Sequence, residues 1–272
     1  MKRLLTALVL VPIALWAVFR LPGWAFFLLC AVLMTGSAWE FAKLARRAAP
    51  GAPWLALPLL VPIAGGALAR ALTPGIAVDG FWPLAFATAL VVGLGTVVLL
   101  ARTPVAEGFQ ALGGLAFALP YFAVPIAALY RLQLHDPWML FLLLAIVWLG
   151  DTAAFYLGTK LGRHRLAPVV SPKKSWEGAI AGLAVSMGSV VVWSCWRLHE
   201  LDFRLLWVGG LTALASQVGD LVESLVKRGA GVKDSGDLLP GHGGLWDRMD
   251  AMLFAAPVLL VLLRVSGWEL GR

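Results

Sequence analysis

Nine apolar stretches constrain this chain more than any other feature of its sequence. A membrane-spanning helix needs about 20 mostly apolar residues, because the hydrocarbon core of a bilayer is about 30 Å thick. The chain is 60% hydrophobic and 14% charged, whereas a soluble domain is about 45–50% apolar and about 25% charged. We therefore predict an all-α fold, a polytopic membrane bundle of about nine transmembrane helices. The predicted spans are Leu4–Phe19, Trp24–Trp39, Trp54–Ala69, Phe81–Ala101, Phe109–Tyr130, Trp138–Gly158, Gly178–Trp196, Leu205–Val226 and Met249–Leu263.

The same composition excludes two other classes of protein. Disordered chains are low in hydrophobicity and high in charge, which is the opposite of this sequence. A disulfide scaffold needs many cysteines, and this chain of 272 residues has two, Cys30 and Cys195, each within an apolar run. We interpret both as small buried hydrophobic residues.

The positions of the basic residues predict an amino terminus in the cytoplasm. With nine spans in that orientation, the cytoplasmic segments hold 15 of the 22 lysine and arginine residues, including every lysine. An excess of basic residues in cytoplasmic loops is the usual pattern in membrane proteins. The net charge of +7 is therefore explained by topology, and we expect no nucleic acid partner.

Charge is unevenly distributed along the chain. The residues before 151 include four acids, and from Asp151 onward acidic and basic residues are dense. We predict one polytopic domain over residues 1–272, with amino-terminal helices over 1–150 and a catalytic half over 151–272. The chemistry is expected in the second half.

Acidic residues collect at the predicted ends of the last two spans. Asp220 and Glu223 lie three positions apart, as do Asp247 and Asp250, so each pair shares a helix face. Two carboxylates about 4 Å apart repel by about 4 kcal/mol at an effective dielectric of 20, which calls for a cation. Oxygen ligands without cysteine or paired histidines favour Mg²⁺, Mn²⁺ or Ca²⁺ over zinc. We predict Asp220 and Asp247 as metal ligands, with Asp250 as a third.

Glycines and basic residues surround these acids. Gly243 and Gly244 follow His242 just before the ninth helix, and backbone amides at a helix amino terminus bind anions well. Cationic side chains would neutralise phosphate charge; the candidates are Lys227, Arg228, Lys233 and Arg248. This pattern is typical of phosphoryl or nucleotidyl transfer. The alternative is a solvated loop in which glycines merely permit a turn and His242 is structural.

A second predicted cytoplasmic loop carries Ser171, Lys173 and Lys174 before the seventh helix. Two lysines beside hydroxyl groups could bind the phosphates of a nucleotide or a lipid, or could anchor the loop to anionic lipid. Ser171 or Ser175 could instead cap the helix. Asp151, which ends the sixth apolar run, is a candidate metal ligand, ribose or base contact, or partner of a nearby cation.

Several of these segments together resemble a known family. The stretch from Ser224 to Asp250 reads SLVKRGAGVKDSGDLLPGHGGLWDRMD and resembles the signature of phosphatidate cytidylyltransferases, also called CDP-diglyceride synthases. The segments DTAAF from Asp151, SPKKSWEG from Ser171 and AWE from Ala38 resemble family segments in the same order. Ala153 stands where many members are expected to have glycine, a departure that affects local packing.

The resemblance implies an inner-membrane enzyme of phospholipid biosynthesis, a homodimer whose active site faces the cytoplasm. It implies that CTP and phosphatidate are the substrates and CDP-diacylglycerol and pyrophosphate the products, with Mg²⁺ as the metal and K⁺ as a second cation. Asp220 and Asp247 would hold the metal. Phosphate contacts would come from Lys227, Arg228, Lys233, Arg248, Lys173 and Lys174, and the pocket would be shaped by Ser224, Asp234, His242, Gly243 and Gly244.

The implied chemistry agrees with the residues, and other readings stay open. The phosphate of phosphatidate is an anionic nucleophile at neutral pH, so its in-line attack on CTP needs charge neutralisation more than a strong base. Another membrane transferase, such as a polyprenol kinase or a CDP-archaeol synthase, would use similar residues. A transporter for a cation or an organophosphate would also place carboxylates in spans, although transporters often show internal repeats that we do not find here.

Overall fold

The computed structural model describes residues 2–72, 81–236 and 243–268 of the chain. These residues form nine α-helices and a short β-hairpin, and each predicted span overlaps one helix. The elements are α1 (Lys2–Arg20), α2 (Gly23–Ala48), α3 (Ala56–Ala71), α4 (Phe81–Leu100), α5 (Val105–His135), α6 (Pro137–Leu161), β1 (Arg165–Ala167), β2 (Ser171–Ser175), α7 (Trp176–Leu198), α8 (Phe203–Gly229) and α9 (Trp246–Val265).

Within the described ranges, five helices are long and apolar enough to cross a membrane: α2, α5, α6, α7 and α8. Shorter apolar helices are Val11–Arg20, Ala56–Ala71 and Leu90–Leu100. This confirms a polytopic helical membrane protein. The length and hydropathy of the helices support five crossings, fewer than the nine predicted from the apolar runs.

The helices are longer than the apolar runs that predicted them. The second span was predicted to end at Trp39, but α2 continues to Ala48 and so contains Glu40, Lys43 and Arg46. Charged residues end a run of apolar residues without ending a helix, because lysine, arginine and glutamate are good helix formers. Glu40 therefore lies inside a helix.

The chain divides into two compact units. The first comprises residues 1–26, 132–228 and 249–272, and we call it unit 1. The second comprises residues 27–131 and 229–248, and we call it unit 2. Both units combine segments that are distant in the sequence, and the signature stretch contributes to each of them.

In unit 1 the helices α6 and α7 form an antiparallel pair joined by the β-hairpin. Small residues line their contact, Gly150 and Gly158 on α6 with Gly178 and Gly182 on α7. The hydroxyl of Ser186 on α7 donates a hydrogen bond to the carbonyl of Ile146 on α6 at 2.7 Å. Close packing of these helices fixes the hairpin between them.

The hairpin pairs β1 and β2 antiparallel, with Arg165 opposite Ser175. Ser175 ends β2 and caps α7, its hydroxyl accepting a hydrogen bond from the backbone N–H of Gly178 at 3.2 Å. The carboxylate of Glu177 accepts from the backbone N–H groups of Arg163 and His164 at 3.1 and 3.2 Å. These contacts hold the lysine-bearing strand at the start of α7.

In unit 2 the core is a cluster of aromatic rings. Phe41 on α2 packs against Trp54, Phe122 and Trp246 with ring centroids 6.3, 5.8 and 5.5 Å apart. Trp246, the first residue of α9, is fully buried, and its indole N–H donates to the Tyr121 hydroxyl at 3.2 Å. The signature stretch is thereby anchored in the core of this unit.

Candidate active site

Three carboxylates meet in unit 1. Asp220 and Glu223 lie one turn apart near the end of α8, and Asp250 lies in the first turns of α9. One oxygen from each of the three lies within 4.8 Å of the others. The side chains of Glu223 and Asp250 interact directly. The three carboxylates form what we call the acidic cluster.

A close approach of two helix backbones creates this cluster. Gly219 precedes Asp220 on α8, and a Cβ at Gly219 would lie 2.8 Å from the carbonyl oxygen of Asp250 and 3.1 Å from the Cβ of Phe254. A side chain larger than hydrogen would therefore push α9 away. Glycine at this position lets the two acid-bearing turns pack together.

Two lysines are paired with the acidic cluster. The Nζ atom of Lys174, on β2, lies 2.5 Å from a carboxylate oxygen of Asp220. The Nζ atom of Lys227, one turn further along α8, lies 3.1 Å from Glu223. Glu223 is 1% exposed and Lys227 is 8% exposed, so their charges are largely withdrawn from water. Burial of both charges is tolerated because each has an opposite partner.

Asp151 on α6 adds a fourth carboxylate to this region. It interacts electrostatically with both Asp220 and Lys174, and Asp250 interacts with Asp151 as well as with Asp220. Among the described residues of this region, carboxyl groups therefore outnumber lysines by four to two. A divalent cation would offset this excess of acidic groups.

The donor set fits a hard divalent metal. The cluster offers oxygen ligands from two helices, and neither cysteine nor histidine belongs to it, as is usual for Mg²⁺ sites. The fit rests on the burial of Glu223 and on the excess of acidic over basic groups among the described residues. The residues present are therefore suited to Mg²⁺ or a similar cation.

A second group of polar contacts lies in unit 2 around Glu40. Its carboxylate is buried at 6% exposure and accepts three hydrogen bonds: from the Ser235 hydroxyl at 2.7 Å, and from the backbone N–H groups of Leu245 and Trp246 at 2.9 Å. A carboxylate at a helix amino terminus is favourable because it satisfies unpaired N–H groups and faces the positive end of the helix dipole. Glu40 thus caps the start of α9.

Asp247 accepts hydrogen bonds from the same segment. Its carboxylate oxygens receive the backbone N–H of Ser235 at 3.0 Å and that of Gly244 at 2.7 Å. Gly243 has a φ of 77°, a conformation that side chains disfavour, and this turn aims the Gly244 amide at Asp247. Ser235 therefore joins Glu40, through its hydroxyl, to Asp247, through its amide.

The remaining predicted residues divide between the units. Lys173 is exposed on β2, Ser171 begins that strand, Ser224 is partly buried, and the exposed Arg228 donates from Nε to the Val170 carbonyl at 3.2 Å. Unit 2 holds Lys233, Asp234 and Arg248, which are exposed, and Gly243 and Gly244. His242 lies outside the described residues.

Two acids, Glu223 and Glu40, make contacts in the structure that were not predicted from the sequence. Glu223 was recognised as sharing a face with Asp220 but was not predicted as a ligand, and it is the most deeply buried acid of the cluster. Glu40 belonged to the AWE segment without an assigned role. In both cases the available signal was a carboxylate within or next to an apolar run, which is costly unless it is paired.

Comparison with known proteins adds to this geometry. A family model described as "Cytidylyltransferase family" matches residues 1–266. A phosphatidate cytidylyltransferase of Pseudomonas aeruginosa is 37% identical over 290 aligned residues, covering 98% of each protein. Proteins of the same name from Staphylococcus haemolyticus and Staphylococcus aureus are 40% and 47% identical over 61% and 43% of this chain, and 65% and 46% of their own lengths. The full-length match and the acid-bearing signature together show that the chain belongs to the cytidylyltransferase family.

Proposed function

We propose that this protein makes CDP-diacylglycerol and pyrophosphate from CTP and phosphatidate, as the name of its Pseudomonas relative indicates for that protein. The observation that carries the proposal is the acidic cluster with its two lysines, placed at the ends of candidate membrane spans. A site that joins a nucleotide to a membrane lipid must bind two anions where lipid tails can stay in the bilayer. The acidic cluster and its two lysines supply charged groups at the ends of the candidate spans, where such a site would lie.

The reaction is a substitution at the α-phosphorus of CTP. An oxygen of the phosphatidate phosphate forms the new bond to phosphorus, and the bond to the bridging oxygen breaks, so pyrophosphate leaves with that electron pair. The protein has to hold the two anions close and neutralise their charge. We assign this work to Lys174 and Lys227, together with Lys173, Arg228, Lys233 and Arg248.

The acidic cluster would hold Mg²⁺ through Asp220, Glu223 and Asp250. When bound, the cation would supply neutralisation of phosphate charge. Asp247, which precedes Asp250 by three residues on α9, is proposed as a further ligand, and K⁺ as a second cation. The hydrogen bonds that Asp247 accepts from Ser235 and Gly244 would fix its carboxylate orientation in that role.

The shape of the pocket is assigned to residues without a metal-binding role. Asp151 and Ser171 are proposed as substrate contacts. The backbone at Gly243 and Gly244 would approach a phosphate closely, and Ser224, Asp234 and His242 would complete the lining. These assignments come from the signature stretch and from the DTAAF and SPKKSWEG segments, which resemble those of the family.

We further propose that the protein crosses the inner membrane nine times with its amino terminus in the cytoplasm, and that it is a homodimer. The predominance of basic residues in the segments that this topology places inside supports the orientation. The cluster end of α8, with Lys227 and Arg228 in its last turn, then faces the cytoplasm, where CTP is available.

The test is transfer of label from radioactive CTP into a chloroform-soluble product by the purified protein with phosphatidate and Mg²⁺. Asp220→Asn and Glu223→Gln should lower the rate by about 100-fold or more, since removing a group that stabilises transition-state charge costs about 10²–10³. Glu107→Gln is the matched control, because Glu107 is a carboxylate of unit 2 that accepts the Gly51 amide at 2.8 Å. Absence of lipid label with every divalent metal would overturn the proposal. Label that requires a polyprenol instead of phosphatidate would assign the protein to another transferase.

A further inference from the structure

A cavity of about 160 Å³ lies in unit 1 at the other ends of the helices that carry the acidic cluster. The amino terminus of α6, the carboxyl end of α7 and the start of α8 surround it, whereas Lys174 precedes α7 and Asp220 lies near the end of α8. These three helices are candidate membrane spans. The cavity is therefore located at the membrane surface opposite the proposed active site.

Two indole N–H groups in the cavity wall have no acceptor. Trp193 is buried at 4% exposure, and its Nε1 atom has no hydrogen-bond partner among the described residues. The same holds for Nε1 of Trp268, which also lines the cavity. A buried donor without an acceptor costs about 1–3 kcal/mol. A ligand with acceptor oxygens would remove this cost.

Three of the five charged groups in the wall already have hydrogen-bond partners. The guanidinium of Arg204 makes two hydrogen bonds to the carboxylate of Asp202, at 3.2 and 2.8 Å. Asp136 is buried and caps α6, its Oδ1 atom accepting from the amides of Trp138 and Met139 at 3.1 and 3.3 Å. These groups build the wall and leave little capacity for a ligand.

The other two charged groups have no salt-bridge partner in the described part of the chain. The Arg197 guanidinium lies over the ring of Trp138, 5.7 Å from its centroid, and Glu200 lies in the loop that follows α7. Both are exposed. Arg197 also interacts electrostatically with Asp136, and Glu200 with Arg204. One cation and one anion thus line the cavity without a direct salt bridge among the described residues.

The loop that carries Glu200 is held in place. The Ser194 hydroxyl donates to the Glu200 carbonyl at 2.8 Å and accepts from the Asp202 amide at 2.9 Å, and Ser194 itself is fully buried. His199 takes the left-handed conformation that turns the chain out of α7. The backbone that carries Glu200 is therefore held beside the end of α7.

We propose that this cavity binds the headgroup of a zwitterionic phospholipid. Its phosphodiester oxygens would accept hydrogen bonds from the indole N–H groups of Trp193 and Trp268 and from the guanidinium of Arg197. Its ammonium group would pair with the carboxylate of Glu200. Tryptophan rings lie at headgroup depth in membrane proteins, which agrees with three tryptophans in the wall. A purely anionic ligand would have no cationic group to pair with the Glu200 carboxylate, and the two negative charges would repel each other.

The experiment measures binding to the full-length protein in detergent by tryptophan fluorescence and by the shift in unfolding temperature. The probes are dihexanoyl phosphatidylethanolamine, dihexanoyl phosphatidylglycerol, phosphoethanolamine and inorganic phosphate. We expect the ethanolamine lipid to bind most tightly. Arg197→Gln and Glu200→Gln should each weaken it about tenfold, the effect of losing one charge-assisted hydrogen bond.

Arg264→Gln is the matched control, since Arg264 is an exposed arginine in the last turn of α9 that does not line the cavity. It should bind the ethanolamine lipid as the parent does. Equal affinity for phosphatidylglycerol would overturn the assignment of Glu200, and equal affinity for inorganic phosphate would overturn the lipid. Unchanged binding in Arg197→Gln would overturn the site itself. Circular dichroism of each variant separates loss of binding from loss of fold.

Discussion

The carboxylate of Glu40 and the hydroxyl of Ser235 form a buried hydrogen bond of 2.7 Å between residues 195 positions apart in the sequence. Ser235 also donates its amide to Asp247 at 3.0 Å. An acid in the amino-terminal half is thus linked to an acid of the signature through the hydroxyl and the backbone amide of one serine. This relationship makes Glu40 a positioning residue for the segment that leads into α9.

Replacing Glu40 by alanine should destabilise the protein and slow label transfer. The Ser235 hydroxyl and the amides of Leu245 and Trp246 would lose their acceptor, and unsatisfied buried donors cost about 1–3 kcal/mol each. We expect a drop of about 2–4 kcal/mol in the free energy of unfolding. Faster hydrogen exchange at residues 243–248 would report the loss locally.

The control for this variant is Asp136→Ala, which removes another buried helix-capping carboxylate. It should lower the unfolding temperature without increasing exchange at residues 243–248. If both variants changed exchange in that segment equally, Glu40 would have no specific positioning role.

Gly219→Ala should separate α8 from α9. The added methyl group would lie 2.8 Å from the Asp250 carbonyl oxygen, and overpacking of this kind costs about 1–3 kcal/mol. We expect a lower unfolding temperature and a reduced rate of cytidylyl transfer. Gly210→Ala on the same helix is the control, since the nearest atom to its Cβ is the Met187 sulfur at 3.9 Å. Equal effects of the two variants would show that the α8–α9 contact is not responsible.

Lys174→Gln should strengthen the binding of Mg²⁺ and weaken the binding of CTP. Removing the partner of Asp220 increases the uncompensated negative charge at the cluster, so less Mg²⁺ should be needed for half-maximal stabilisation. The KM for CTP should rise about 5–10-fold, because one charged contact to phosphate is lost. Titrations of Mg²⁺ against unfolding temperature and of CTP against rate measure the two effects.

Lys160→Gln supplies the comparison, since Lys160 is an exposed lysine in the last turn of α6. Both parameters should stay within twofold of the parent. An increased Mg²⁺ requirement in Lys174→Gln would contradict the electrostatic argument.

Stability at acid pH should depend on the pair of Asp202 and Arg204. The Arg204 guanidinium beside Asp202 lowers the pKa of that carboxyl from its ordinary value of 3.8. A carboxyl whose pKa is lower in the folded state adds stability above the unfolded value, and this stability is lost as the pH falls through the folded pKa. Arg204→Gln should therefore lower the unfolding temperature at pH 5–7 and have little effect near pH 2. A constant difference at all pH values would contradict this assignment.

The contribution of Asp136 to folding stability should depend on pH in the opposite direction. Burial raises the pKa of this carboxyl, so the folded state binds a proton more readily than the unfolded state and gains stability as the pH falls through that range. Asp136→Asn keeps a capping side chain and should remove this gain. Thermal unfolding of the parent protein and of Asp136→Asn between pH 3 and pH 6 measures how the unfolding temperature of each changes with pH.

The helices could be predicted from sequence because an apolar run long enough to cross a membrane satisfies its backbone hydrogen bonds by forming a helix. Their ends could not, since α2 continues through Lys43 and Arg46 to Ala48. The hairpin β1–β2 was also missed, because the strand SPKKS lacks the alternation of apolar and polar residues that marks a strand. Its pairing is imposed by the packed ends of α6 and α7.

The acidic cluster was predictable in part. The spacing of Asp220 and Glu223 identifies a shared face, but which acids meet depends on how closely α8 and α9 approach at Gly219, and no local pattern encodes that distance. The contacts of Asp247 follow from the turn at Gly243, and those of Glu40 from a partner 195 residues away. The assignment of individual ligands therefore stays a prediction.

Unit 1 combines the beginning, the middle and the end of the chain. During synthesis Asp220 emerges before Asp250, because α8 precedes α9 in the chain. Until that helix reaches α8, Glu223 lacks one of the carboxyl groups that surround it in the finished protein. The proposed cation site would therefore form only after α9 has packed against α8, so contact between these two helices would precede activity.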